Sequence, residues 1–160
     1  MQLTQENLRK FLEYYGIEAE LVEFNESVVR SSDASQQVKD GVVIKSVVLM
    51  VDGEIVIAVL RGCDRVNLER VAELLKAREV RLARAKEVKE EVGYDVGGVP
   101  PFGHIKRFLT LVDKKVEELR DSLLYAGGGS HRHLLKLRGD ALFDALKRTN
   151  TEYMVASLAE

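Results

Sequence analysis

The sequence predicts a mixed α/β fold of the α+β class, in which helices pack around a central mixed, mostly antiparallel sheet. The run Val42–Val51 is rich in β-branched residues and is followed by Asp52-Gly53, a pair typical of a two-residue hairpin turn. Other segments repeat apolar residues at helical spacing. Strand-like and helix-like segments follow one another without regular βαβ alternation, which favours a mixed sheet over a parallel one.

Five segments have the apolar spacing and end signals of helices. Thr4 is a suitable cap for the first helix and Gly16 a suitable end, while Asn67 caps the third and Gly93 ends the fourth. The predicted helices are the segment from Thr4 to Tyr15, a short helix from Ser31–Asp33 towards Val38, Leu68–Leu75, Ala85–Val92 and Asp140–Arg148.

Seven segments have the composition of strands, and Lys114–Arg120 is predicted to be a charged turn. The predicted strands are Ile17–Phe24, Val42–Val51, Glu54–Leu60, Val80–Ala83, Phe108–Val112, Leu123–Ala126 and His133–Leu137. Apolar residues occupy both faces of the hairpin at residues 42–60, so we expect it at the centre of the sheet with cover on both sides.

Length and composition predict a single domain over residues 1–160, soluble and cytoplasmic, with no membrane partner. The 160 residues lie within the ~100–200 typical of one domain, and no apolar run approaches the ~20 residues that span a bilayer. The single cysteine, Cys63, excludes an internal disulfide and a cysteine-cluster metal site. The near balance of 24 Lys and Arg against 26 Asp and Glu argues against a broad nucleic-acid coat and leaves room for a local basic patch.

Lys45 stands in the middle of a predicted strand that has apolar residues on both faces. Burying an unpaired ammonium is unfavourable, so a lysine at this position is uncommon. The structural explanation is that its aliphatic stem lies along the sheet and carries the charge to a wet rim. The functional explanation is that the ammonium points into a cleft and meets an anionic or carbonyl-bearing ligand.

Both prolines and four of the twelve glycines lie within residues 93–103. Glycines permit positive φ and close backbone approach, while adjacent prolines stiffen a segment. Gly97-Gly98-Val99-Pro100-Pro101 therefore predicts a rigid loop whose backbone N–H groups can hold an oxyanion, a carboxyl or a phosphate. An ordinary irregular connection is the alternative, and neither a P-loop nor a dinucleotide fingerprint is present.

The segment Gly127–His133 combines three glycines with Ser130, His131 and His133. A second backbone cradle, a solvated basic loop and a metal site are the alternatives. Only one further histidine, His104, exists, and no known metal motif surrounds the pair. We therefore expect no metal and no cofactor.

These features together resemble the YbaK/prolyl-tRNA-synthetase-associated domain family. The resemblance rests on the strand Val43–Leu49 with its lysine, the hairpin turn Asp52-Gly53 and the segment Gly93–Gly103, and it covers residues 20–150. It implies a YbaK-like fold and an editing domain that hydrolyses the ester of mischarged tRNA.

The resemblance also implies roles for individual residues. Lys45 matches the family's essential strand lysine, and Gly97 and Pro101 match the ends of its GxxxP loop, which positions the aminoacyl ester. The amides of Gly97 and Gly98 are expected to receive the oxyanion. The expected catalytic residues are Lys45, Gly97 and Gly98. The expected substrate-binding residues are Ser46, Val99, Pro100, Pro101, Gly128, Gly129 and Ser130.

The sequence thus predicts a trans-editing aminoacyl-tRNA deacylase acting on the acceptor end of mischarged tRNA, with Cys-tRNA(Pro) or Ala-tRNA(Pro) as the expected substrate. An aminoacyl-tRNA synthetase is a second expected partner, and the oligomeric state stays open between monomer and homodimer. A non-catalytic module that binds a tRNA end or an aminoacyl nucleotide is the alternative. The third hypothesis is an unrelated enzyme that uses Lys45 as an amine nucleophile.

Overall fold

A computed structural model describes all residues, 1–160, and shows eight strands and six helices. The strands are β1 (Ala19–Glu23), β2 (Val42–Val51), β3 (Glu54–Arg61), β4 (Val80–Leu82), β5 (Thr110–Asp113), β6 (Leu123–Gly127), β7 (His133–Arg138) and β8 (Tyr153–Ala156). The helices are α1 (Gln5–Tyr15), α2 (Ser31–Gln37), α3 (Leu68–Leu75), α4 (Ala85–Glu87), α5 (Lys114–Glu117) and α6 (Gly139–Arg148).

The strands form one mixed sheet in the order β1-β7-β6-β2-β3-β5-β8, with β4 also paired to β2. The pairs β2–β6, β3–β5 and β5–β8 are parallel and the other four are antiparallel, which confirms the predicted mixed and mostly antiparallel sheet. The β2–β3 hairpin turns at Asp52 and Gly53, whose φ angles of 48° and 84° match the positive values that a type I′ turn requires.

The hairpin lies at the centre of the sheet, and both of its faces are buried. On one face, Ile44 and Val48 belong to the largest apolar cluster, which also contains residues of α1 and α6. On the other face, Leu49 and Leu60 pack with Val71 of α3. The cover on both sides predicted from the apolar pattern is confirmed.

Helix ends follow the predicted signals. The Thr4 side chain accepts a hydrogen bond from the Glu6 amide at the start of α1, and Gly16 ends that helix at φ 63°. Asn67 caps α3 in the same way. No helix has the length and apolar character needed to cross a membrane.

Three elements differ from prediction. The segment expected to be one helix over residues 85–92 begins as α4 and widens into a π-helical turn at Val88–Val92. The predicted charged turn contains α5, because the Asp113 side chain caps it by accepting from the Lys115 amide. Strand β8 was not predicted, because its four residues gain their regular structure only by pairing with β5.

Candidate active site

The ladder of strand β2 is interrupted along one edge. Strand β6 pairs with β2 only at Val42 and Val43, and β4 pairs with it only from Leu49 to Val51. The Ala83 amide extends the second contact by donating to the Val48 carbonyl at 2.9 Å. Between these two contacts, no strand stands opposite the middle of β2, although its other edge is fully paired with β3.

Ser46 is the residue whose backbone faces this break. The Gly62 amide donates to the Val43 carbonyl, so in the antiparallel β2–β3 pair the backbone groups of odd-numbered β2 residues point towards β3. The N–H and C=O of Ser46 consequently point the opposite way, into the break. Its side-chain oxygen Oγ is buried and has no hydrogen-bond partner, the only such side-chain atom in the protein.

A cavity of about 260 Å³ opens at the break and brings together several of the predicted site residues. Lys45 and Ser46 line it from β2, and Gly97 and Val99 line it from the glycine- and proline-rich loop. The remaining wall is almost entirely aliphatic, with only Ser31 as a further polar side chain. It is formed by Val28, Val29, Ala34, Val43, Ile44, Val47, Val48, Leu82, Ala83, Val88, Val96, Gly127 and Leu134.

Lys45 is half-buried and lies between this cavity and a shallower depression that also contains Arg65. No carboxylate lies within 4.0 Å of its ammonium nitrogen Nζ. The nearby Asp64 carboxylate is bound instead by Arg61, at 2.8 Å and 3.2 Å. That hydrogen bond, with the charges of Lys115 and Lys45, lowers the pKa of Asp64. Lys45 is therefore available to an anionic or carbonyl-bearing ligand.

Gly97 is required by the geometry of the cavity wall. Its φ of 91° disfavours any residue with a Cβ, and a Cβ there would lie 2.3 Å from Cγ1 of Val29. The Gly97 amide donates to no group within the protein. An unpaired N–H at the edge of a cavity is suited to receive an oxygen of a bound molecule.

The amide of Gly98 is used differently from the prediction. It donates to the Asp95 carbonyl at 3.0 Å, so the expectation of a free Gly98 N–H is corrected. The unpaired amides of this loop belong to Gly97 and Val99, and both residues line the cavity. Pro100 and Pro101 are buried behind the wall and do not line the cavity. The Pro100 carbonyl accepts a hydrogen bond from Nε2–H of His104 at 2.7 Å, which braces the loop.

Comparison with known proteins decides the family. Residues 26–145, three quarters of the chain, match the aminoacyl-tRNA editing domain family. The chain belongs to this family. The matched range contains the break in β2, the cavity and the Gly97–Pro101 loop, and the predicted resemblance to the YbaK-like editing domains is confirmed.

Curated relatives of the editing domain are longer proteins. The proline–tRNA ligase of Pediococcus pentosaceus is 35% identical over 104 residues, which are 63% of this chain and 18% of the ligase. The proline–tRNA ligase of Bacillus subtilis is 30% identical over 109 residues, which are 68% of this chain and 19% of that ligase. The chain thus spans about a fifth of the length of the curated relatives it matches.

Two solved structures share the fold of the editing domain over nearly their whole length. A protein proposed as a trans-editing enzyme for prolyl tRNA synthetase is 26% identical with a TM-score of 0.81, covering 98% of this chain and 96% of the other. The hypothetical protein APE2540 is 26% identical with a TM-score of 0.80, covering 96% and 99%.

Gly128, Gly129 and Ser130 do not line the cavity of the editing domain. The neighbouring Gly127 does, while Gly129 and Ser130 lie behind the loop in a separate polar depression. The Gly129 amide donates to the Gly98 carbonyl at 2.8 Å, so this segment supports the loop from behind. The Ser130 hydroxyl bonds Nδ1 of His133, and no group of three or more His, Cys, Asp and Glu side chains is placed to bind a metal.

Only four of the eighteen residues that line the cavity, Lys45, Ser46, Gly97 and Val99, were among the predicted site residues. Val28, Val29 and Ala34 come from α2 and the segment before it, and Leu82 and Val88 come from β4 and the π-helical turn. These are ordinary aliphatic residues, and nothing in their spacing distinguishes them from core residues. Only the widened turn at Val88–Val92, a feature frequent at functional sites, is unusual, and it is visible only in the structure.

Proposed function

We propose that this editing domain acts in trans as an aminoacyl-tRNA deacylase, a hydrolase of the ester bond in mischarged tRNA. The observation that carries the proposal is the single cavity that Lys45 and the unpaired Gly97 amide share at the break in β2. Its volume of about 260 Å³ lies below the ~300–1,000 Å³ of sites for drug-sized ligands, so it suits an aminoacyl group better than a whole nucleotide.

The reaction needs little beyond placement and charge stabilisation, because an aminoacyl ester is already activated. Water adds to the ester carbonyl, and the amides of Gly97 and Val99 donate to the oxygen as it becomes negative. The bond to the 3′ oxygen of the ribose then breaks, a proton passes to that oxygen, and the products are the free amino acid and uncharged tRNA. Lys45 anchors the terminal phosphate or polarises the carbonyl.

No carboxylate or imidazole lines the cavity, so no protein side chain there is suited to remove a proton from water. We propose that the 2′-hydroxyl of the terminal adenosine places the water, as the resemblance to the YbaK-like editing domains implies. Holding the water and the ester together in a small enclosed space supplies the remaining rate increase.

The proposed substrate is Cys-tRNA(Pro) or Ala-tRNA(Pro). The aliphatic wall suits a short uncharged side chain, and the matched relatives are proline–tRNA ligases. We propose a cytoplasmic domain over residues 1–160 that meets the acceptor end of tRNA and a synthetase. Action in trans is supported by the similarity to the solved structure of a protein proposed as a trans-editing enzyme for prolyl tRNA synthetase, 96% of which this chain covers.

The rim of the cavity is suited to the terminal base. Leu82 and Val96 both line the cavity, and the two residues are 55% and 53% exposed, which is unusual for large apolar residues in this protein. They offer an apolar surface on which an adenine ring can lie while the amino acid enters the cavity.

A panel of charged tRNAs tests the proposal. Purified protein is incubated with Ala-, Cys- and Ser-tRNA(Pro), and with correctly charged Pro-tRNA(Pro), and loss of ester is compared with loss in buffer. The proposal expects accelerated loss of Ala- or Cys-tRNA(Pro). Loss no faster than in buffer for every charged tRNA contradicts it.

The absence of a side-chain base in the cavity favours one alternative, a non-catalytic module that binds a tRNA end. Tight binding of uncharged tRNA together with no ester loss in the same panel supports this alternative.

A further inference from the structure

The break in the β2 ladder presents a donor and an acceptor that match an amino acid. Of the four residues between the β6 and β4 contacts, Lys45 and Val47 direct their backbone groups to β3, whereas Ile44 and Ser46 direct theirs outward. The parallel pairing of Val43 with Tyr125 uses the Ile44 N–H, so only Ser46 presents both an unpaired N–H and an unpaired C=O. An aminoacyl ester carries an amino group and a carbonyl on adjacent atoms, as one residue of a strand does.

We propose that the aminoacyl group binds as a one-residue strand at Ser46, so that the site selects esters with a free α-amino group. This inference rests on the proposed function. The amino group donates to the Ser46 carbonyl, and the ester carbonyl accepts from the Ser46 N–H, which is the exchange made by a hydrogen-bonded pair of an antiparallel ladder.

The size of the break excludes a longer occupant. Lys45–Val47 spans about 10 Å along the strand at ~3.3 Å per residue, with β6 and β4 occupying the same edge on either side. Only Ser46 offers both a free N–H and a free C=O at this edge, so a peptide strand gains no second pair of hydrogen bonds here. The cavity of about 260 Å³ sets the same limit.

The lining also determines how the amino group is held. No carboxylate faces the cavity, so an ion pair is not available, and Ser46 provides the acceptors at the break with its backbone carbonyl and its unpaired Oγ. An ester whose nitrogen carries an acyl group, as in peptidyl or formylated tRNA, keeps one N–H but adds bulk against the aliphatic wall. A cavity of about 260 Å³ has little room for that added group, and overpacking it is unfavourable.

Binding of a stable analogue tests the inference. The probe is 3′-alanylamino-3′-deoxyadenosine, in which an amide replaces the ester, and its N-acetyl derivative is the blocked counterpart. We expect the N-acetyl derivative to bind about tenfold or more weakly by calorimetry, because its acetyl group overpacks the cavity. In an amide NMR spectrum, we expect the unblocked probe to shift the Ser46 resonance strongly, and the Val47 resonance, whose N–H is paired with β3, to move little.

Equal affinity for both probes, or an unmoved Ser46 resonance in the saturated complex, overturns the inference. A turnover experiment keeps this result separate from the proposed function. Ala-tRNA(Pro) and N-acetyl-Ala-tRNA(Pro) are each compared with their own loss in buffer, since acetylation changes the intrinsic lability of the ester. Clearance of both with equal acceleration contradicts the inference alone, whereas clearance of neither contradicts the proposed function.

Discussion

Replacement of Gly97 by alanine tests whether backbone geometry fixes the wall of the cavity. Gly97 has a φ of 91°, and its missing Cβ would lie 2.3 Å from Cγ1 of Val29 and 3.2 Å from the Val29 carbonyl oxygen. The left-handed backbone conformation costs an alanine about 1–2 kcal/mol. Overpacking against Val29 adds about 1–3 kcal/mol. We therefore expect Gly97→Ala to lower the free energy of unfolding by about 2–5 kcal/mol.

The two causes can be separated with Val29→Ala. Truncating Val29 removes the side-chain clash but leaves the backbone strain, so the double variant should recover about 1–3 kcal/mol relative to Gly97→Ala, and no more. At about 2–4 °C per kcal/mol for a domain of this size, Gly97→Ala should melt about 4–20 °C lower.

Urea unfolding of the wild type, the two single variants and the double variant measures this coupling, and ester loss from charged tRNA is followed in parallel. Gly53→Ala is a matched control, because Gly53 also has a positive φ but nothing lies within 4 Å of its Cβ position. Equal destabilisation by Gly97→Ala and Gly53→Ala, or additive effects at Gly97 and Val29, would refute the steric part of the reasoning.

Two further predictions concern the loop and the rim. Burial lowers the pKa of His104 to about 4 from the usual 6.5. The neutral ring therefore makes its full contribution to the free energy of unfolding above pH 6.5, and that contribution is lost as the pH falls to 4. At 1.36 kcal/mol per pKa unit the loss is at most about 3 kcal/mol. Unfolding free energies measured from pH 7 to pH 4 should show this fall. His104→Gln keeps an N–H donor and does not titrate, so the fall should be smaller in this variant. An identical pH dependence in the variant and the wild type contradicts the assignment of the fall to His104. At the rim, Leu82→Ser should raise the KM for charged tRNA roughly fivefold, from about 1 kcal/mol of lost apolar contact, with kcat unchanged. Steady-state kinetics check this, with Met154→Ser as the control, because Met154 is also an exposed apolar residue but lies outside the cavity. Equal KM values for the two variants contradict the proposal that Leu82 contacts the tRNA.

Local signals in the sequence were sufficient to predict most of the fold. The hairpin followed from Asp52-Gly53, and α1 and α3 from the caps Thr4 and Asn67, because in each case neighbouring residues fix the backbone. Strand β8 depends on pairing with β5, about 40 residues earlier in the chain, and no local pattern reports that pairing.

The site was predicted where residue types were unusual for their position. A lysine in a buried strand and a dense group of glycines and prolines indicated the two sides of the cavity, and the structure brings Lys45 and Gly97 together there. The break in β2 was not predictable, because the lengths of β4 and β6 decide which β2 residues remain unpaired. The hydrogen bond of the Gly98 amide to the Asp95 carbonyl was not predictable either, because the sequence does not reveal the turn in which it forms.

The most direct test of the account is the single-turnover rate of ester loss from Ala- or Cys-tRNA(Pro), whichever the wild type clears, with Lys45→Met beside Lys106→Met. Both substitutions remove one charge and keep an unbranched stem, but only Lys45 lines the cavity. A hydrogen bond to a charged group contributes about 1.5–3 kcal/mol, so the account predicts a loss of about 10- to 150-fold for Lys45→Met and little change for Lys106→Met. Equal rates for the two variants would contradict the claim that the amine at position 45 acts on the ester.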